Sequence, residues 1–205
     1  MNLTRFHLGY VKNNIPEKAL DLFEQMPFNP DDIIIAIIFS ACAQSSTDRA
    51  KKIGKELVGQ MSKTYRDNHV YTSAINMLMK HNEVSEAEKV FNMIKQKDSI
   101  SYGTIMNGFN KNNEPLKCLN LFEEMKSQHI VPNEITFGIL IRACALIGIL
   151  SICESIIVQI PPHIYSSPRI TSNLIYMWVR IHCRHYLNVL FYGLVFLLTG
   201  KIFIG

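Results

Sequence analysis

The stretch SISYGTIMNGFNKNNEPLKCLNLFEEMKSQHIVPN, Ser99 to Asn133, decides the fold. Tyr102, Ile105, Met106 and Phe109 fall at i, i+3, i+4 and i+7, one face of a helix running from about Tyr102 to Phe109. Asn112 and Asn113 interrupt that pattern. Pro115 suits the first turn of a second helix, where a residue has no intrahelical N–H bond to lose. Cys118, Leu121, Phe122 and Met125 repeat the spacing on the second helix, and Pro132 stops it.

The same unit recurs on either side. Its second helix reappears as Ala19, Leu22, Phe23 and Met26, as Ala87, Val90, Phe91 and Ile94, and as Cys153, Ile156, Ile157 and Ile160. Its first helix also recurs: Val70–Met77 aligns with Ile170–Met177, and Ile33–Ala43 with Ile135–Ala145. The steps are about 31 to 36 residues, the period of helix-pair repeats. One pair cannot bury its apolar stripe alone, so it stacks on the next. The predicted fold is therefore all-α, an α-solenoid of about five to six stacked antiparallel helix pairs over residues 1–184, followed by an apolar tail at 185–205. First helices are expected to line one concave face. Phe23, Phe91 and Phe122 are expected to be buried mid-stripe between successive pairs.

Composition narrows the class without fixing a ligand. Charged residues make up 19% of the chain, below the ordinary quarter or so. The net charge of +4 and a pI near 8.8 permit an anionic partner without demanding one. Five cysteines, an odd number with no Cys-x-x-Cys, read mostly as small buried residues in a reducing compartment. Met1–Lys12 already matches a first helix, with Gly9–Tyr10 in register with Gly108–Phe109, so the array is expected to be truncated at its N-terminus. Arg5 and His7 break any signal-peptide core there. The turn between the second and third repeats follows a helix at Asp48–Met61. Two apolar phases fit that helix, with Lys51, Lys52 and Lys55 on its solvated side. Residues 161–168 read as a long turn.

Catalytic and metal chemistry finds no support. His81-Asn-Glu83 has the His-x-Glu spacing of a zinc deaminase but lacks the Pro-Cys-x-x-Cys half. His182, Cys183 and His185 are close in sequence yet offer no fourth, convergent ligand. Gly-rich phosphate loops, nucleophile elbows and paired-carboxylate motifs are missing. The expectation is no enzyme, no cofactor and no metal. In the tail, the uncharged run Tyr186–Gly200 would span roughly 22 Å as a helix, short of a bilayer core of about 30 Å, which weighs against a membrane anchor. Leu187, Leu190, Phe191 and Leu194 fit a last repeat helix. The other reading is an aberrant end whose apolar surface seeks a protein partner.

These residues resemble the pentatricopeptide repeat family. The resemblance is carried by Tyr102, Gly108–Phe109, Leu121–Met125 and Val131–Asn133. It extends to Gly9–Lys12, Ala19–Met26, Ser40–Ala43 and Leu174–Arg180. The unequal repeats are similar to the family branch that mixes long and short ones. Tetratricopeptide repeats have a different Trp/Leu-Gly/Tyr pattern, which the chain lacks. The resemblance implies modular binding of single-stranded RNA, about one base per repeat, in organellar RNA processing or stability, with the mitochondrion as the expected compartment. By the same resemblance the base-reading pairs are Thr4 with Asp31, Ala36 with Asp67, Thr72 with Asp98, Gly103 with Asn133, and Gly138 with Ser167. Ile33, His69, Ile100 and Ile135 would pack between bases. Thr4/Asp31 and Thr72/Asp98 fit a purine-reading combination, guanine above all, since a carboxylate accepts from its N1–H and N2–H. Thr72 and Asp98 are expected to meet on the concave face. Gly103 and Gly138 have no side chain with which to read a base. The alternative use of these aspartates is turn formation and helix capping, and the alternative function is a protein–protein scaffold.

Overall fold

The computed structural model describes residues 3–27, 29–64, 67–181 and 183. Every regular element among them is helical. Two compact units meet at the Ile130–Val131 junction. The first holds α1 (Leu3–Lys12), α2 (Pro16–Glu24), α3 (Asp32–Gln44), α4 (Asp48–Thr64), α5 (Asn68–Lys80), α6 (Val84–Met93), α7 (Ser99–Lys111) and α8 (Pro115–Ser127). The second holds α9 (Glu134–Ile147), α10 (Leu150–Ile157), α11 (Pro162–Tyr165) and α12 (residues 168–181). The sequence readings of residues 185–205, as a repeat helix, a membrane anchor or a partner-seeking end, lie outside the described residues.

Local chemistry punctuates the pairs. Four first helices, α3, α5, α7 and α9, open on an N-cap side chain. Asp31 accepts from the Ile34 N–H at 2.8 Å, Asp67 from His69 at 2.9 Å, Asp98 from Ser101 at 2.8 Å and Asn133 from Thr136 at 3.0 Å. At Asp98 and Asn133 the Ser101 and Thr136 hydroxyls accept in return from the cap's own N–H, forming capping boxes. This is why α7 starts at Ser99 rather than near Tyr102: the cap lies ahead of the apolar period.

The turns of α1–α2, α5–α6, α7–α8 and α9–α10 each contain a left-handed residue. Asn14, Asn82, Asn113 and Gly148 have φ of 56°, 60°, 59° and 74°, a region that asparagine tolerates and glycine enters freely. After the three asparagines, the N–H groups of Ile15, Glu83 and Glu114 donate to the carbonyls of Tyr10, Leu78 and Phe109, each at 2.9 Å. This closes the helix end in a Schellman arrangement.

In the first unit α1, α3, α5 and α7 stack side by side, and α2, α4 and α6 each pack on their own first helix and on the next. Fully buried Phe39, Ile75, Leu78, Tyr102, Met106 and Phe122 mark the core. Tyr102 meets Phe91 edge-on, with centroids 5.2 Å apart at 78°, and its hydroxyl donates to Glu124 at 2.7 Å. Burial, followed by the Glu124 carboxylate, raises the phenol's pKa, so Tyr102 stays a neutral donor. Two side chains clasp successive first helices: His81 Nε2 lies 2.9 Å from the Cys42 carbonyl, and Asn112 Nδ2 donates to the Met79 carbonyl at 3.0 Å. Burial pushes the Cys42 and Cys118 thiols up to about 12, in keeping with packing rather than reactivity.

The second helices are joined by charge. Arg49 on α4 bridges to Glu17, Asp21 and Glu24 on α2. Lys51 and Lys55 on α4 both reach Glu83 at 2.7 Å, and Lys117 on α8 reaches Glu88 on α6 at 2.7 Å. Hydrogen bonds from Lys51 and Lys55 hold the Glu83 carboxyl down at about 2, from an ordinary 4.5. Its contribution is therefore complete above that ordinary value and fades as pH falls toward 2. Glu83 precedes α6 but makes no side-chain cap bond; its carboxylate serves the lysines instead.

Three expectations change. Phe91 and Phe122 are buried, but Phe23 is half-exposed at an opening between α2 and α4, where it lines a cavity with Ile53 and Leu57. Helix α2 turns Ala19 and Leu20 into the core instead. The long turn at 161–168 contains the single helical turn α11, begun by Pro162. On α4 the two phases merge: Ala50, Ile53, Leu57 and Met61 are all buried.

Close stacking depends on Gly108. A Cβ there would run into Cγ and Sδ of Met79 on α5 and lie 3.0 Å from Met79 Cβ. Gly9 on α1 faces open space. Gly108→Ala should destabilise by about 1–2 kcal/mol, because overpacking of roughly 1–3 kcal/mol exceeds the roughly 1 kcal/mol gain in helix propensity. Gly9→Ala should stabilise by about 0.5–1 kcal/mol. Urea unfolding of both variants checks this. A stabilised Gly108→Ala would contradict the α5–α7 approach.

Candidate nucleic-acid interface

The N-cap places the next few residues of each first helix in fixed register. One residue past the first position of α3, α5, α7 and α9 stand Ile33, His69, Ile100 and Ile135. All four project outward. Ile33 is 61% exposed, Ile100 58% and Ile135 55%, and His69 is also exposed. A large apolar side chain held in water at the same register of three helices is unusual for a surface that serves only stability.

Three residues further on are Ala36, Thr72, Gly103 and Gly138. Thr4, Ala36 and Thr72 are half-buried, and Gly103 and Gly138 are buried. The Gly138 carbonyl lies 3.5 Å from Asn173 Nδ2 on α12, and a Cβ on Gly138 would sit 3.1 Å from that nitrogen. The Thr72 hydroxyl bonds back to the carbonyls of Asn68 and His69, each at 3.1 Å.

Asp31, Asp67, Asp98 and Asn133 all cap the following helix, and the aspartates do so through Oδ1 alone, one oxygen of a carboxylate that has two. Ser167 donates to Glu134 at 2.8 Å. No hydrogen bond among those of the described residues joins Thr72 to Asp98. Capping also makes Asp98 a structural residue, so its removal to alanine would disturb the start of α7. Gly103 lies in the first unit and Asn133 in the second.

The clearest convergence is between α1, α3 and α5. A cavity of about 350 Å³ is lined there by Ile33, Ala36, Asp67 and His69, together with Asp32, Ile37, Ser40 and Ser73 and with Leu8 and Val11 from α1. Four residues singled out in sequence thus share one space: two outward walls, a small side chain and a carboxylate. The lining sets an apolar and an imidazole side chain beside a carboxylate, Asp67, that can accept hydrogen bonds.

One further set of residues shares a register on the first helices. Lys12, Lys80 and Lys111 end α1, α5 and α7, eight residues after Thr4, Thr72 and Gly103, and all are exposed. Arg180, exposed near the end of α12, stands at the same register. Their common period was visible in the sequence. A cation at a helix C-terminus is favoured by the helix dipole.

Helix pairs with a first-helix row define this chain as a helical-repeat solenoid. Family models described as PPR repeat match residues 7–29 and 69–99, and a PPR repeat family model matches residues 97–145. The pentatricopeptide repeat-containing protein At4g30700 of Arabidopsis thaliana is 30% identical over 146 residues, covering 69% of this chain and 18% of that protein. The mitochondrial relative At1g06140 of the same plant is 32% identical over 145 residues, covering 68% and 25%. The chloroplastic relative At3g22150 is 29% identical over 148 residues, covering 69% and 18%. The chain belongs to the pentatricopeptide repeat family, and it spans a quarter or less of the length of these relatives.

Solved structures share the fold. The PPR domain of Arabidopsis thaliana protein-only RNase P 1, in complex with tRNA, has a TM-score of 0.67 at 16% identity, covering 87% of this chain and 97% of that one. The pentatricopeptide repeat protein PPR10 from maize has a TM-score of 0.66 at 22% identity, covering 91% and 28%.

Proposed function

We propose that this chain binds single-stranded RNA along its first-helix face, without catalysis, as part of an organellar RNA-processing or RNA-stability factor. The observation that carries this reading is the cavity in which Ile33, Ala36, Asp67 and His69 converge. The outward Ile100 and Ile135 repeat the wall on later helices. Within each unit bases would pack against these walls, the cap side chains would accept from base edges, and Lys12, Lys80, Lys111 and Arg180 would attract phosphates. A related repeat domain has been solved with tRNA, and PPR10 with an 18-nucleotide RNA element. The names of relatives point to mitochondria or chloroplasts. The mitochondrion is the compartment we assign, and the branch mixing long and short repeats the lineage.

Asp98 provides the test because its two roles can be separated. Serine caps a helix about as well as aspartate, so Asp98→Ser keeps the start of α7 while removing the carboxylate. We expect unchanged thermal unfolding, together with a roughly tenfold loss of preference for guanine over cytosine at the base facing that repeat, measured by titration at fixed salt. A preference that survives Asp98→Ser would remove Asp98 from the site. Binding to RNA that does not weaken as salt rises would favour the protein scaffold, since release of counterions from phosphates makes RNA affinity salt-dependent.

A further inference from the structure

We propose that His69 couples binding at the α3–α5 cavity to protonation, so that the chain grips a single-stranded RNA more tightly as pH falls from about 7.5 to 5.5. This rests on the RNA-binding reading. The register that carries isoleucine on α3, α7 and α9 carries histidine on α5. Histidine is the side chain whose charge changes between pH 5 and 8. His69 is exposed and lines the cavity together with Ile33.

The charges around it give the substitution its consequence. The cavity is lined by two carboxylates, Asp32 from α3 and Asp67 at the start of α5, while α1 contributes only Leu8 and Val11. No lysine or arginine lines it among the described residues, so His69 is its one side chain able to carry positive charge. On the side of α7, the nearby loop is tied to α5 by Asn68 Nδ2 donating to the Gln96 carbonyl at 3.0 Å. That loop carries Lys95, Lys97 with its ammonium over the Phe91 ring, and the α7 cap Asp98.

With neutral imidazole, the cavity presents two negative charges to an anionic strand. An imidazolium offsets them and adds a cation against the face of the base. The N-terminus of α5 opposes that charge, whereas Asp32, Asp67 and an incoming phosphate favour it. The complex therefore holds the proton more firmly than the free protein, and by linkage affinity rises as pH falls.

The experiment titrates a fluorescein-labelled, random-sequence 12-nucleotide single-stranded RNA with the full chain at pH 5.5 and 7.5, at one ionic strength. Wild type, His69→Ile and His69→Lys are compared. His69→Ile restores the residue found at this register of α3, α7 and α9, so it is compatible with the fold. Wild type should bind about fivefold more tightly at pH 5.5, the ratio expected by linkage over this window when one imidazole takes up a proton on binding. His69→Ile should lose most of that ratio, leaving only what other groups contribute. His69→Lys should bind tightly at both values. An equal pH ratio in wild type and His69→Ile would overturn the proton link while leaving RNA binding standing. No binding by any of the three at either pH would overturn the RNA reading itself.

Discussion

Phe122→Ala is expected to lower the free energy of unfolding by about 3–5 kcal/mol, the range for truncating a buried phenylalanine. The ring is 1% exposed on α8, which packs on α7, and the Lys126 ammonium sits 4.6 Å from its centroid. Alanine would forfeit the transfer energy of the ring and leave a cavity that helices fixed by a capping box and a Schellman turn cannot readily collapse. The register-equivalent Phe23 supplies the control. It is already half-exposed beside the opening between α2 and α4, so Phe23→Ala should cost well under half as much. Urea denaturation of the two variants against wild type decides it. Equal costs would mean that Phe122 is not the better buried of the two.

The second large effect concerns binding and should leave stability untouched. Ile33→Ala combined with Ile100→Ala removes two apolar walls that stand in water in the free protein. Each substitution deletes three carbons, and burial is worth roughly 0.8 kcal/mol per methylene. Against an RNA strand that covers both side chains only in part, the pair should lose about 2–4 kcal/mol of binding, roughly 30-fold to 900-fold in Kd. The two sites lie on α3 and α7 with α5 between them, so the losses should add. Titration with labelled single-stranded RNA, alongside thermal unfolding, separates the outcomes. Unchanged affinity would mean that these isoleucines do not touch the strand, and a lowered melting temperature would mean that they belong to the core.

Much of this architecture was legible without coordinates because it is local. The spacing of Tyr102, Ile105, Met106 and Phe109 sets one apolar face, and Asn113 supplies a left-handed turn. Asp98 and Asn133 stop one unit and start the next. Such features depend on neighbours within about one helical turn, which periodicity reports. The candidate walls Ile33, His69, Ile100 and Ile135 came from the family resemblance; their outward exposure is a property of the folded chain.

Tertiary structure decided what depends on partners far along the chain. Phe23 and Phe122 occupy the same place in their repeats, yet only packing against the neighbouring pair determines which is sealed from water. Lys51 and Lys55 looked like a solvated face until Glu83, some thirty residues away, was brought against both. Helix spacing likewise joined Ala36 and Ile33 of one repeat to Asp67 and His69 at the start of the next. Local spacing and caps set the apolar face and the ends of helices such as α7, while α2 turned a different face inward. How far apart neighbouring helices stand, and hence which side chains share a cavity, follows from non-local contacts such as Gly108 on Met79, which hydrophobic periodicity does not encode.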